Sequence, residues 1–175
     1  MTTAWRGRFY EDFEVGATYQ HPLGRTINET DNTWFTLLTM NTNELHFNHH
    51  YAAQQPFGRP LANSTFTLSV VIGLTVNDVS QNAVANLGMD AVTLTHPVFH
   101  GDTLYAESIV LDKRETASRP YAGIVKVFTR GLNQDGAEIM SFTRTIMVLK
   151  ADSEQAAQVY PRPATDIADR AGVQP

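Results

Sequence analysis

The chain of 175 residues contains no cysteine, which excludes disulfides and thiolate metal sites. Charge is scarce as well: Asp, Glu, Lys and Arg make up 18% of the residues, and the net charge is −5. With no basic stripe and no arginine cluster, a nucleic-acid partner is not expected. A small phosphorylated ligand stays compatible, because it needs only a few local cations. A long hydrophobic run is also missing. The most apolar stretch, residues 66–79, is interrupted by Thr67, Ser69, Gly73, Thr75, Asn77 and Asp78. It is too short and too polar to cross a bilayer, so no membrane partner is expected. A helix apolar on most sides belongs instead at the centre of a globular fold. Residues 1–6 lack the charged-then-apolar pattern of a secretion signal, and the expected location is the cytoplasm.

One domain is expected over residues 1–150, with a poorly ordered tail over 151–175, where Pro161, Pro163 and Pro175 stand among small polar residues. Residues 10–16 read as a turn and 19–27 as an extended stretch broken by Pro22 and Gly24. Trp34, Phe35, Leu37 and Leu38 have helical spacing, so a short helix is expected, capped near Thr30 or Asp31. Pro56 and Pro60 forbid any helix from continuing between them. The segment 64–79 fits either period, but its length favours a helix, with Asn63 as its cap. The second half reads as strands over 91–99, 104–111, 121–130 and 137–149, and Asp135-Gly136 marks a hairpin between the last two. Long strands after one buried helix imply an α+β domain in which an antiparallel sheet wraps a long central helix.

The most informative stretch is Asn41-Thr42-Asn43-Glu44-Leu45-His46-Phe47, which sets one imidazole among carboxamides where the first helix meets a turn. About fifteen residues later, Arg59-Pro60-Leu61-Ala62-Asn63-Ser64-Thr65 opens the central helix. A histidine moves protons near neutral pH, and helix N-terminal N–H groups hold developing negative charge.

These residues resemble the MaoC-like, or hydratase-2, branch of hot-dog-fold enoyl-thioester hydratases. The likeness runs from Asn41 through His46 to Tyr51-Ala52, then through Phe57-Gly58-Arg59-Pro60-Leu61 and 97–104, Pro-Val-Phe-His-Gly-Asp-Thr-Leu. It covers about residues 10–150. Within the family the chain is most similar to the mesaconyl-CoA and itaconyl-CoA hydratase group, on residues 38–43, on Asn86-Leu87-Gly88 and on 118–125. Two departures stand out: the family's catalytic Asp falls on Asn41, and its His-Gly pair falls on Asn63-Ser64. An amide orients a water but does not accept its proton.

The resemblance implies reversible hydration of a short enoyl-CoA, including branched or carboxylated ones of the mesaconyl-CoA or itaconyl-CoA type. Asn41 would hold the water, His46 would carry the protons, and the N–H of Ser64 or Thr65 would hold the thioester oxygen, with Asn63 beside them. Asn86, Leu87, Gly88, Pro97, Val98 and Phe99 would line the acyl and pantetheine channel. Lys113, Arg114, Arg119 and Lys126 are candidates for the coenzyme A phosphates. No cofactor is implied beyond coenzyme A as part of the substrate, and a homodimer or higher homo-oligomer is expected. Rival readings are dehydration of 3-hydroxyacyl groups on acyl carrier protein, and a non-catalytic acyl-thioester binding module.

Each residue also has a plainer reading. His46 could close a helix through a hydrogen bond, Asn41 could end one, and Asn63 and Ser64 are ordinary helix-start residues. His46, His49 and His50 share helical spacing, but no carboxylate completes a metal motif, and metal binding is not expected. Asp102 sits in a Gly-Asp turn and is expected to shape its loop. Nothing assigns His96 or His100 a task.

Overall fold

Asn63 decides where the central helix begins. In the computed structural model, which describes residues 5–157, 164–165 and 167–172, it is extended (φ −61°, ψ 130°) and its side chain accepts the N–H of Thr65. The expected cap is therefore found. Helix α3 follows over Ser64–Thr75, and a π-helical turn, Val76–Ser80, carries the chain into the first long strand. Phe66 and Val71 face a sheet whose inward side chains include Leu104, Ala106, Ile139, Met140 and Phe142. Gly131 lets helix and sheet approach: a Cβ there would lie 2.8 Å from a Val71 methyl.

The other elements are β1 (Thr18–Gln20), β2 (Arg25–Thr26), α1 (Glu29–Leu38), α2 (His49–Ala52), β3 (Ala83–Leu94), β4 (Thr103–Glu115), β5 (Ala122–Leu132) and β6 (Glu138–Leu149). The sheet runs β1-β4-β5-β6-β3, with β2 also on β4, and every pairing is antiparallel. The α+β reading with a sheet around one helix is correct, and this is the hot-dog arrangement. Residues 133–137 form the expected β5–β6 hairpin, where Asn133 takes the N–H groups of Asp135 and Ala137.

Two local readings need correction, and one feature of the packing bears on assembly. The cap of α1 is Asn28, not Thr30 or Asp31, because the Asn28 side chain accepts the Asp31 N–H. The strand read over 91–99 lies at 83–94 instead. Its true start is disguised by a shift in register between Asp90 and Thr93, where Ala91 adopts φ 50°, and Pro97 cannot donate to a ladder. Finally, the sheet covers only one side of α3. Thr65, Ser69, Gly73 and Val76 are exposed along the other.

Among the described residues, strand β3 pairs on one side only, with β6, and Val84, Leu87, Val92 and Leu94 on it are exposed. Trp34, Leu37, Leu38 and Met40 at the end of α1 are exposed too. Of the stretch 151–175, residues 158–163, 166 and 173–175 lie outside the described residues. Ala156 is buried in a short 3-10 turn, and Ile167–Ala171 is helical. Among the described residues, no helix is long and apolar enough to cross a membrane.

Candidate active site

Asn32, on the inner face of α1 and fully buried, ties the site together. Its Nδ2 donates to His46 O at 2.9 Å, to Leu61 O at 3.3 Å and to His100 Nε2 at 3.1 Å. Its Oδ1 accepts the Asn63 N–H at 2.8 Å. One carboxamide thus joins the His46 turn, the loop before α3, the cap of α3 and the loop before β4. No reading of the sequence singled it out.

Two Asx turns steer the chain from α1 to His46. Met40 reverses direction at φ 58°. Asn41 Oδ1 then accepts the Asn43 N–H, and Asn43 Oδ1 accepts the Leu45 N–H. The 3-10 turn Glu44–His46 follows and delivers the imidazole inward, 8% exposed. His46 Nδ1 lies 2.9 Å from Leu61 O, so Nδ1 carries the proton and donates it there. That leaves Nε2 as the acceptor nitrogen. No hydrogen bond from the described residues engages Nε2, and none engages the Asn41 amide nitrogen.

At the start of α3, the Asn63 side chain satisfies both the Thr65 N–H and the Thr65 hydroxyl. The Ser64 N–H has no acceptor among the described residues. Of the two candidate donors, only Ser64 keeps its N–H for a ligand, and it does so at the positive end of a twelve-residue helix. Ser64 lines a cavity of about 270 Å³ together with Leu61, Thr67, His96, Pro97 and Val98. The carbonyl that fixes His46 belongs to one of these wall residues, Leu61.

The remaining candidates divide. Pro97 and Val98 line this cavity, whereas Phe99 lies behind it, 5.9 Å edge-on from Phe57 and bridged to Leu61. Asn86 lines a separate space of about 410 Å³ beside β3, with Ile72, Ser80 and Arg144. Leu87 and Gly88 are exposed on the same edge. Arg144 in that second space is 1% exposed, and Nη2 donates to Thr75 Oγ1. Its Nε has no acceptor among the described residues, and burial lowers its pKa.

Of the cations proposed for phosphates, Lys113 is engaged away from this cavity. It donates to the carbonyls of Tyr10 and Phe13 and pairs in register with Val125. That is ten residues beyond the Thr103 end of β4, about 33 Å at strand rise. His49 pairs with Glu29 and His50 with Gln54 on the surface. Among the described residues, no three His, Asp or Glu side chains converge as metal ligands. Asp102 accepts the Phe99 N–H and shapes its loop as expected. His100 Nε2 is held by Asn32. Burial lowers the His100 pKa first, Glu29 opposes this, and His49 and Arg59 add to it.

An antiparallel sheet packed on one central helix, with a buried imidazole bonded to the loop before that helix, defines an α+β hot-dog domain. The chain belongs to the MaoC-like domain family, whose model matches residues 12–129. It is 38% identical, over 95% of its length, to a mesaconyl-CoA hydratase of Cereibacter sphaeroides, 47% of which it covers. Among solved structures, a putative MaoC domain protein dehydratase from Chloroflexus aurantiacus superposes with a TM-score of 0.81 at 32% identity, covering 95% of this chain and 46% of that one. A Mycobacterium tuberculosis protein described as a double hot-dog fold shares the fold at TM-score 0.76 and 19% identity, covering 94% of this chain and 54% of that one. The chain spans about half the length of the curated relatives it matches.

Proposed function

We propose that this domain serves the reversible hydration of a short enoyl-CoA thioester, with branched, carboxylated acyl groups of the mesaconyl-CoA type as the favoured class. The observation that carries the reading is that His46 is bonded through Nδ1 to Leu61, a wall residue of the cavity that Ser64 also lines, while His46 Nε2 and the Ser64 N–H have no partner among the described residues. The water oxygen adds to C3 of the conjugated double bond, and its proton passes to His46 Nε2. The C2=C3 electrons move toward the thioester oxygen, where Ser64 N–H and the α3 dipole hold the charge. His46 then returns the proton to C2, and the enolate collapses to the hydroxyacyl thioester. Asn41 holds the water with its amide nitrogen. Where the family pattern has a carboxylate at this position, the amide leaves the proton work to His46 alone.

The sequence of steps draws on no group beyond the substrate's own coenzyme A. The free edge of β3 and the bare face of α3 support assembly with a second hot-dog unit, a copy of this chain in a homodimer or larger homo-oligomer. An acyl-CoA substrate is in keeping with the cytoplasmic location expected from the sequence. The test is loss of the conjugated thioester absorbance with crotonyl-, mesaconyl- and itaconyl-CoA. Turnover of a carboxylated substrate is expected, and His46→Asn, whose amide nitrogen stands at the Nδ1 position and keeps a donor for Leu61 O, is expected to abolish it without unfolding the protein. Full activity in that variant removes His46 from the mechanism. Thioester binding without turnover in the wild type would instead make the domain a binding module.

A further inference from the structure

We propose that Arg59 is the anion-recognising residue of this site, closing on an oxyanion carried by the thioester ligand, either a carboxylate of the acyl group or a phosphate of coenzyme A. The inference rests on the thioester reading for the identity of the ligand, and on the structure for the residue. Arg59 stands between Phe57 and Leu61, both of which line the cavity beside Ser64. Its loop is fixed on each side: Gly58 turns at φ 67° with its N–H on Gln55 O, and Pro60 is buried. Leu61, two residues on, holds the His46 ring.

The guanidinium lies over the Phe99 ring, with Cζ 3.8 Å from the ring centroid. Stacking of this kind restrains the side chain through its face and leaves the N–H donors at its edge free. Those donors are unused. Arg8, Arg25 and Arg130 are each held by a carboxylate, but Arg59 has neither an ion pair nor a hydrogen bond among the described residues. In a chain of net charge −5, a restrained arginine left without a carboxylate, in the loop between two cavity-lining residues, is placed for an external anion. The planar fork matches a carboxylate or a phosphate through two parallel N–H···O bonds. Its nearness to the site is also visible in His100, a partner of Asn32, whose protonated form Arg59 disfavours after the larger effect of burial. Lys113, by contrast, lies about 33 Å along β4 from the site end and is occupied by two carbonyls.

The experiment measures equilibrium binding to the full chain by calorimetry, using saturated thioesters that cannot be hydrated. The four ligands are butyryl-CoA, methylsuccinyl-CoA and their pantetheine counterparts, which carry no phosphate. Arg59→Gln is compared with wild type, and its thermal unfolding is expected to be unchanged because the side chain is exposed. If Arg59 reads the acyl carboxylate, the variant weakens methylsuccinyl binding about tenfold on both carriers and leaves butyryl binding alone. If it reads a coenzyme A phosphate, both acyl groups weaken about tenfold on coenzyme A and neither does on pantetheine. Affinities within twofold of wild type for all four ligands overturn the proposal. So does an equal loss for butyryl-pantetheine, which bears no anion and would report only loop structure. Wild-type protein that binds none of the four defeats the thioester reading itself, and Arg59 with it.

Discussion

Changing Asn32 to Asp replaces one amide nitrogen with oxygen and leaves the shape of the side chain intact, which isolates the hydrogen bonds it makes. The Oδ1 acceptor for the Asn63 N–H survives. The donor side is lost, so an oxygen now faces the carbonyls of His46 and Leu61 and the ring nitrogen of His100. Leu61 O keeps its bond from His46 Nδ1, but His46 O and His100 Nε2 lose their donor. Stranding a buried acceptor costs about 1–3 kcal/mol, so two of them give about 2–6 kcal/mol. Urea denaturation at neutral pH would show this as a fall in midpoint of about 1–3 M for a slope of ~2 kcal/mol/M. The new carboxylic acid would be fully buried, so its folded pKa would stand above its unfolded value. The variant should then be most stable below that unfolded value, about 3.9, and lose stability as pH rises through the folded one. A variant within about 0.5 kcal/mol of wild type at pH 7 would refute the role given to Asn32, since surface substitutions commonly fall in that range.

Other outcomes follow from the same structure. His21 is buried between Asp78 and Ser108, and burial lowers its pKa despite the Asp78 carboxylate. Its unfolded form therefore binds a proton first as pH falls, and stability should drop below about pH 6.5. His21→Gln should flatten that slope in denaturation measured between neutral and mildly acidic pH. Arg144 holds a buried cation with no carboxylate partner among the described residues, so Arg144→Met should leave stability unchanged or raise it by up to about 3 kcal/mol. A loss beyond about 1 kcal/mol would show that an anion satisfies the guanidinium. Asn41→Asp should raise hydration of the same substrate about 10²-fold, at the low end of what a positioned base supplies. An unchanged rate would exclude proton transfer at position 41.

Much of this molecule is settled by local sequence. The Asn63 cap, the length of α3 and the Asn133–Ala137 turn all depend on groups within a few residues of one another, and such contacts form in any chain with those residues in that order. The turn pattern around Asn43 likewise delivers His46 to the inside, as its position in the sequence suggested. Arg144 passed unnoticed in the sequence, although it alternates with Phe142 and Ile146 onto one buried face.

What the sequence could not supply are partnerships made across long separations. Asn32 reaches residues 14, 29, 31 and 68 positions away, and an asparagine inside a helix gives no sign of such reach. The choice of Ser64 over Thr65 as the free donor depended on where the Asn63 side chain settled. The separation of Asn86 from Pro97 arose because β3 lies along the outer edge while residues 95–99 turn beneath α3. Periodicity fixes which face a side chain takes, but only closure of the sheet around the helix fixes what stands opposite it.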